Sequence, residues 1–321
     1  MQHLVGIARL AAQATALDSK RMVEYRQLPA RSWISRCNNP RMPFEWMINP
    51  YRGCEFGCKY CYARYTHEFM ELRAPEDFEA RIFAKHFQAA AFRSELARIE
   101  LEAPIAIGTA TDPYQPAERR YALTRRLLEV FAGERGRRLS ITTKSDLVAR
   151  DADLLERVAR RNTLHVNLTV TTMDAGLARL MEPRAPRPDL RMEALGKLRS
   201  AGVRAGVICS PVMPLLNDSY GSLLAVGEAA VKVGADYFGG GVLFLKACAR
   251  QVFLPFLEER DPRLAARYRR QFENREYLRG LYPEAIATRL ERVRMETGLG
   301  RGPAYYAPEE GGDPQLTLFE K

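Results

Sequence analysis

An α/β fold built from repeated strand–helix units is predicted by three features of the chain. Short apolar runs rich in β-branched residues alternate with helical patterns of ten or more residues, and turn chemistry marks the junctions. The alternation implies a parallel sheet, because parallel strands need a long crossover, most often a helix. About six units without strong internal repeats fit a partial or full α/β barrel, and 321 residues leave room for additional segments beside it.

The elements follow in order. Residues 1–40 show weak periodicity and close on Cys37-Asn38-Asn39-Pro40, so an N-terminal arm is expected. Residues 44–48 read as a short strand, ended by Asn49-Pro50-Tyr51-Arg52-Gly53. Residues 104–110 form a β-rich run followed by Asp112-Pro113, then a helix with Leu123, Leu127, Leu128 and Phe131 on one face. Strands are expected over 139–143 and 164–171, with a helix over 146–160 between them. Helical periodicity over 177–199 is broken by Pro183, Pro186 and Pro188. Residues 203–209 and 235–244 are two further strands, separated by a helix over 219–233. Past Phe253 the chain becomes charged and helical, with Tyr268, Phe272, Tyr277 and Tyr282. The expected organisation is an arm (1–40), a barrel (41–255), a helical extension (256–307) and a tail (308–321).

Hydrophobic residues at 46% and charged residues at 27% exclude a disordered or collagen-like chain. Lys and Arg number 49 against 39 Asp and Glu, a net charge of +10 that favours an anionic partner, nucleic acid first. Only eight of the 49 are Lys, an Arg bias that a GC-rich genome also produces. No run approaches the roughly 18 apolar residues of a membrane span, and the N-terminus lacks the features of a signal peptide, so a cytoplasmic protein is expected.

Three of the six cysteines crowd into Cys54-Glu-Phe-Gly-Cys58-Lys-Tyr-Cys61, which points to metal rather than to cross-linking. Thiolates at C-x3-C-x2-C spacing, with Gly53 and Gly57 letting the backbone curl, can each hold one iron of a cubane and leave a fourth iron open. A structural zinc would need a fourth ligand, with His67, Cys37, Cys209 and Cys248 as candidates.

This spacing, with an aromatic before the last cysteine and the whole at the end of a first barrel strand, resembles the radical S-adenosylmethionine (radical SAM) superfamily. The resemblance implies a partial (β/α)6 TIM-like barrel and a [4Fe-4S] cluster on Cys54, Cys58 and Cys61 whose open iron is chelated by SAM. It implies reductive cleavage of SAM to methionine and a 5′-deoxyadenosyl radical that abstracts a substrate hydrogen, and an electron donor such as flavodoxin or ferredoxin. Asn49-Pro50-Tyr51-Arg52-Gly53-Cys54, Tyr60-Cys61-Tyr62, the string from Gly108 to Pro116, Thr143-Lys144-Ser145 and Glu182-Pro183-Arg184-Ala185-Pro186 resemble the branch that includes spore photoproduct lyase. The match runs from about residue 44 to 245.

Carried over residue by residue, the resemblance puts Thr109 and Thr111 at the SAM amino group and Lys144 at its carboxylate or ribose. Thr169 falls at the ribose, and the stretch from Cys209 to Val212 beside the adenine. Tyr60 and Tyr62 match tyrosines that help return hydrogen. The branch's hydrogen-donating cysteine has no counterpart in residues 107–111, which leaves Cys209 as the candidate donor. Asp112, Gln115 and Glu118 are candidates for the pocket lining, with a turn or cap as the other reading of Asp112.

After a Gly-Gly-Asp-Pro linker, residues 315–319 (QLTLF) resemble the pentapeptide that binds the DNA polymerase sliding clamp, with Leu318 and Phe319 in a pocket and Gln315 hydrogen-bonding. Cluster, charge and tail together suggest a radical SAM enzyme acting on DNA, lyase-like and concerned with lesion repair. The alternatives are the same chemistry on RNA, protein or a small molecule, and a non-catalytic, clamp-associated iron-sulfur sensor or adaptor.

Overall fold

The computed structural model describes residues 4–20, 22–30, 32–39 and 42–302, Lys20 by its backbone alone. Eleven strands are found among them: β1 (Thr15–Lys20), β2 (Val23–Leu28), β3 (Ile34–Arg36), β4 (Trp46–Ile48), β5 (Tyr51–Arg52), β6 (Arg81–Lys85), β7 (Pro104–Ile107), β8 (Arg138–Thr143), β9 (Thr163–Thr169), β10 (Ala205–Val212) and β11 (Phe238–Val242). The chain divides into two compact units, one comprising residues up to 57, 63–166 and 201–203, the other residues 58–62, 167–200 and 204 onward.

The larger sheet has seven strands in the order β11-β10-β9-β8-β7-β4-β3. From β4 to β11 spatial order follows chain order, and the β4–β7, β7–β8 and β10–β11 pairs are parallel. This is the α/β architecture expected from the alternation. Among the described residues the sheet is open, with β11 at one edge and the short antiparallel β3 at the other, which is the partial barrel expected and not a closed one. The central strand β9 is buried on both faces, as a parallel strand between layers must be: every residue from Leu164 to Thr169 is buried, whereas the edge strands β3 and β11 are partly exposed.

The helices between these strands start and stop on the chemistry that predicts them. Leu123–Phe131 buries Leu123, Leu127, Leu128 and Phe131, the face expected from periodicity. The helix expected over 146–160 is 3-10 over Asp146–Asp151, opened by Ser145 accepting from the Leu147 N–H, and α only over Ala152–Ala159. The prolines split the next stretch into Ala175–Met181, capped by Asp174, and Pro188–Ser200. Ser219 caps Tyr220–Lys232. The C-terminal part is helical as expected, over Ala247–Glu258, Pro262–Phe272 and Leu281–Thr297.

The N-terminal stretch differs from the expected arm. Gly6–Ala12 is a helix, and β1 and β2 form a hairpin in a second sheet of order β1-β2-β6-β5. β2 pairs parallel with β6 more than 50 residues downstream. Ala11, Ala14, Leu28, Met70 and Phe83 make the core packed against it. Pairing partners this distant leave no local signature, which is why weak periodicity alone was legible. Among the described residues no helix is long and apolar enough to cross a membrane.

Candidate active site

The cysteine loop begins in the first unit with Cys54 and ends in the second with Cys58 and Cys61. In the first unit Gly53 adopts φ +80°, and a Cβ there would lie 2.8 Å from the carbonyl oxygens of both Phe78 and Arg81. Glycine is therefore required on steric grounds as well as conformational ones. The Cys54 N–H donates to the Phe78 carbonyl at 2.9 Å.

Gln115, fully buried, fastens the same loop. Its amide donates to the Gly53 carbonyl at 2.9 Å and to the Thr111 hydroxyl at 2.8 Å, while its oxygen accepts from the Glu55 N–H at 3.0 Å. The Thr111 hydroxyl donates in turn to the Gly53 carbonyl at 2.6 Å, so it is occupied in holding the loop. Thr109 accepts from the Asn49 amide at 2.9 Å, and the Asn49 oxygen takes the Ala110 N–H at 2.8 Å. Asp112 accepts from the Thr143 hydroxyl at 2.6 Å, the Lys144 N–H at 2.7 Å and the Tyr114 N–H at 2.9 Å. It is thereby the turn-holding residue of the duller reading, linking the segments that follow β7 and β8, and burial pushes its carboxyl above the usual range. Glu118 is likewise structural rather than pocket-lining. It accepts from Tyr51 at 2.5 Å, from the Thr124 and Arg125 N–H groups and from Arg150.

In the second unit a buried polar cluster adjoins Cys58. The Tyr60 hydroxyl donates to the Glu182 carboxylate, which also accepts from Thr171 at 3.3 Å and pairs with Arg191 at 2.5 Å. Arg191 is completed by the carbonyls of Thr169 at 3.0 Å and Pro186 at 2.8 Å. The Lys59 N–H donates to the Met181 carbonyl at 2.9 Å, so the loop is bound to this helix end through both backbone and side chain. Burial, then the Glu182 charge, holds the Tyr60 phenol well above its ordinary pKa.

Cys209 is fully buried, and its thiol donates to the Thr171 carbonyl at 3.6 Å. Burial, with the Glu182 charge second, pushes it up to about 12. Asn217 donates to the carbonyls of Thr171 at 2.7 Å and Pro211 at 3.1 Å and accepts from the Met213 N–H at 2.6 Å, fixing the ends of the chain around β9 and β10. Thr169 and Val212 are both buried. Tyr62 packs on Phe244, with ring centroids 4.8 Å apart. Thus Tyr60, Thr169 and Cys209 share one network, whereas Tyr62 belongs to an aromatic group of its own. Sequence reasoning missed Gln115 as a loop clamp, had Glu182 only as part of a string resembling the lyase branch and gave it no role, and missed Arg191, Thr171 and Asn217 altogether. An acid followed by Pro and nine residues later by Arg was the available trace.

The zinc reading fits less well. His67 is buried between Phe78 and Phe83, donates through Nε2 to the Arg81 carbonyl at 3.0 Å, and is pushed down to about 4 by burial. That is a core histidine. Among the described residues no three His, Cys, Asp or Glu side chains form a group that could hold a metal ion. A zinc needs its ligands gathered on one atom, whereas a cubane takes each thiolate on a separate iron. None of the six cysteines forms a disulfide, and Cys54 and Cys58 are buried with Cys61 partly exposed. The donor set fits a cubane.

Comparison with known proteins agrees with this chemistry. The family model described as the radical SAM superfamily matches residues 48–224, the segment from the end of β4 past β10. An uncharacterised protein of Mycobacterium tuberculosis is 34% identical over 291 residues, covering 89% of this chain and 83% of its own. One from Methanocaldococcus jannaschii is 29% identical over 226 residues, covering 68% and 77%. Spore photoproduct lyase complexed with dinucleoside spore photoproduct shares the fold, with a TM-score of 0.65 at 15% identity over 92% of this chain and 85% of that one. A variant of that lyase with bound AdoMet and the same dinucleoside gives 0.64 at 16% identity, over 84% and 78%. With the matched segment spanning more than half its length and enclosing the whole cysteine loop, the chain belongs to the radical SAM superfamily.

Proposed function

We propose that the protein is a radical SAM enzyme acting on nucleic acid, DNA foremost, in a lyase-like lesion repair. The observation that carries the reading is the family match over residues 48–224, centred on three undisulfided cysteines at C-x3-C-x2-C spacing. Cys54, Cys58 and Cys61 would hold the [4Fe-4S] cluster. When bound, cluster and SAM together supply a one-electron reductive cleavage that ends in abstraction of a substrate hydrogen atom.

The chain's own residues divide the remaining work. Gly53, Thr111 and Gln115 hold the start of the cysteine loop, and Tyr60, Glu182 and Arg191 its end. Thr109, Lys144, Thr169 and Val212 are the proposed SAM contacts. Thr111 acts through the loop, since its hydroxyl is already engaged. With its thiol pushed up to about 12, Cys209 keeps its S–H at neutral pH and retains a hydrogen atom to give, which is what a donor requires. Tyr60 and Tyr62 flank Cys61 and are proposed to relay or return hydrogen.

The net charge of +10 and the spore photoproduct lyase fold support a DNA substrate. Residues 315–319, which lie outside the described residues, are proposed to tether the enzyme to the sliding clamp. A small acidic electron carrier such as flavodoxin or ferredoxin is the proposed reductant. Anaerobically reconstituted protein with dithionite should form 5′-deoxyadenosine from SAM, and Cys58→Ala should form none. Absence of product from the wild type would defeat the enzyme reading and favour a sensor or adaptor.

A further inference from the structure

Of the two residues between Cys58 and Cys61, Tyr60 is buried with its hydroxyl on Glu182, whereas Lys59 is half-buried and lines an open cleft of about 370 Å³ in the second unit. One wall of the cleft is the end of helix Ala175–Met181 with Pro183, and the other is the end of helix Ala247–Glu258 with the two residues after it.

Three cations line this cleft against one carboxylate. Lys59 holds its Nζ 5.6 Å from the centre of the Phe256 ring, and Arg260 holds its Cζ 4.2 Å from the same ring, so the buried Phe256 seats both charges. Arg179 is exposed and donates to the Pro183 carbonyl at 2.6 Å. The carboxylate, Glu259, lies 3.5 Å from Arg260, its neighbour in sequence. Among the described residues neither Lys59 nor Arg179 has an acidic partner, so two of the three charges stand uncompensated. Between the charges the lining is apolar, and Leu180 is 44% exposed there.

An apolar floor rimmed by fixed cations has the anatomy of a protein–protein contact, and its charge selects a partner that brings carboxylates. A nucleic-acid strand would meet the cations with phosphates and leave the floor uncovered, since such interfaces are the more polar kind. Position supplies the partner's role. The cleavage proposed above takes up one electron for each SAM, that electron has to arrive beside the thiolates, and Lys59 stands between two of them.

We propose that the cleft of Lys59, Arg179 and Arg260 is the docking site of an acidic one-electron donor protein, whose carboxylates meet the three cations at the edge of the cysteine loop. The inference rests on the radical SAM reading above and deepens it by giving the reductant a place on this chain.

Calorimetric binding of an acidic flavodoxin to the reconstituted full-length protein tests it. Wild-type binding should weaken as salt rises. Arg179→Glu combined with Arg260→Glu should weaken it by about tenfold or more, because like charges then face each other. Arg179→Lys with Arg260→Lys should retain binding, which separates loss of charge from loss of folding. The charge-reversed variant should form 5′-deoxyadenosine with dithionite as the wild type does, and less of it when limiting reduced flavodoxin is the electron source. No binding of flavodoxin to the wild type at low salt, or wild-type affinity in the charge-reversed variant, overturns the docking site. If that variant loses affinity for DNA and keeps its affinity for flavodoxin, the cleft belongs to phosphates and the proposal falls. A wild type that forms no 5′-deoxyadenosine with dithionite defeats the radical reading, while the binding measurement on the same protein still decides the cleft.

Discussion

The Tyr60 hydroxyl donates to the Glu182 carboxylate across 122 positions of sequence, and Arg191 closes on that carboxylate at 2.5 Å. The pair joins the residue before Cys61 to the end of a helix that precedes two prolines. Arg191 and Glu182 are each about 1% exposed, so neither charge can turn to water if the other is removed.

Glu182→Ala should therefore destabilise the fold by about 3–5 kcal/mol, because it leaves a buried guanidinium without its counter-charge. Tyr60→Phe removes one hydrogen bond from a carboxylate that keeps Thr171 and Arg191, and should cost about 1–2 kcal/mol. Urea unfolding of the two variants measures both. A wild-type midpoint for Glu182→Ala would show that the network carries no stability.

Gly53→Ala forces a Cβ to within 2.8 Å of two carbonyl oxygens at a backbone angle that only glycine adopts easily. Gln115→Leu leaves the Gly53 carbonyl and the Glu55 N–H each short of one partner. Both variants should retain less iron after reconstitution than the wild type, Gly53→Ala the least. Iron analysis together with the visible absorbance decides this, and full iron content in Gly53→Ala would refute the steric argument.

His67 titrates near 4 in the fold against an ordinary value of 6.5, so between these values the unfolded chain binds the proton that the folded one refuses. Stability contributed by the neutral ring is complete above about pH 6.5 and falls as the pH drops toward 4. His67→Gln should flatten that decline in Tm. An unchanged slope over this window would place the acid sensitivity elsewhere.

Cys209→Ala is expected to leave SAM cleavage measurable while lowering the yield of finished product, since the proposed donor is removed and the cysteine loop is untouched. Its fully buried site also predicts a modest loss of stability. Equal product yields in variant and wild type would remove Cys209 from the proposed chemistry.

A pull-down on the sliding clamp should recover the wild-type chain, and recovery should drop with Leu318→Ala combined with Phe319→Ala. Equal recovery would show that the tail does not make the contact.

Much of this molecule is written locally. The Cys54, Cys58 and Cys61 spacing, the glycine at 53, the capping residues Asp174 and Ser219, and the buried stripe of Leu123, Leu127, Leu128 and Phe131 all act over a few residues, so they can be read along the chain. The six-strand alternation belongs with them, because each strand and helix carries its own period. The partners of these residues do not. Gln115 reaches Gly53 over 62 positions, Glu182 reaches Tyr60 over 122, and β2 finds β6 beyond a long intervening segment. Periodicity reports which face of an element is apolar and is silent about which buried polar group meets which. Hence Thr111 and Asp112, legible as ligand contacts or as a turn, proved to be engaged with the chain itself, and Phe244 met Tyr277 only when the sheet and its following helices were assembled.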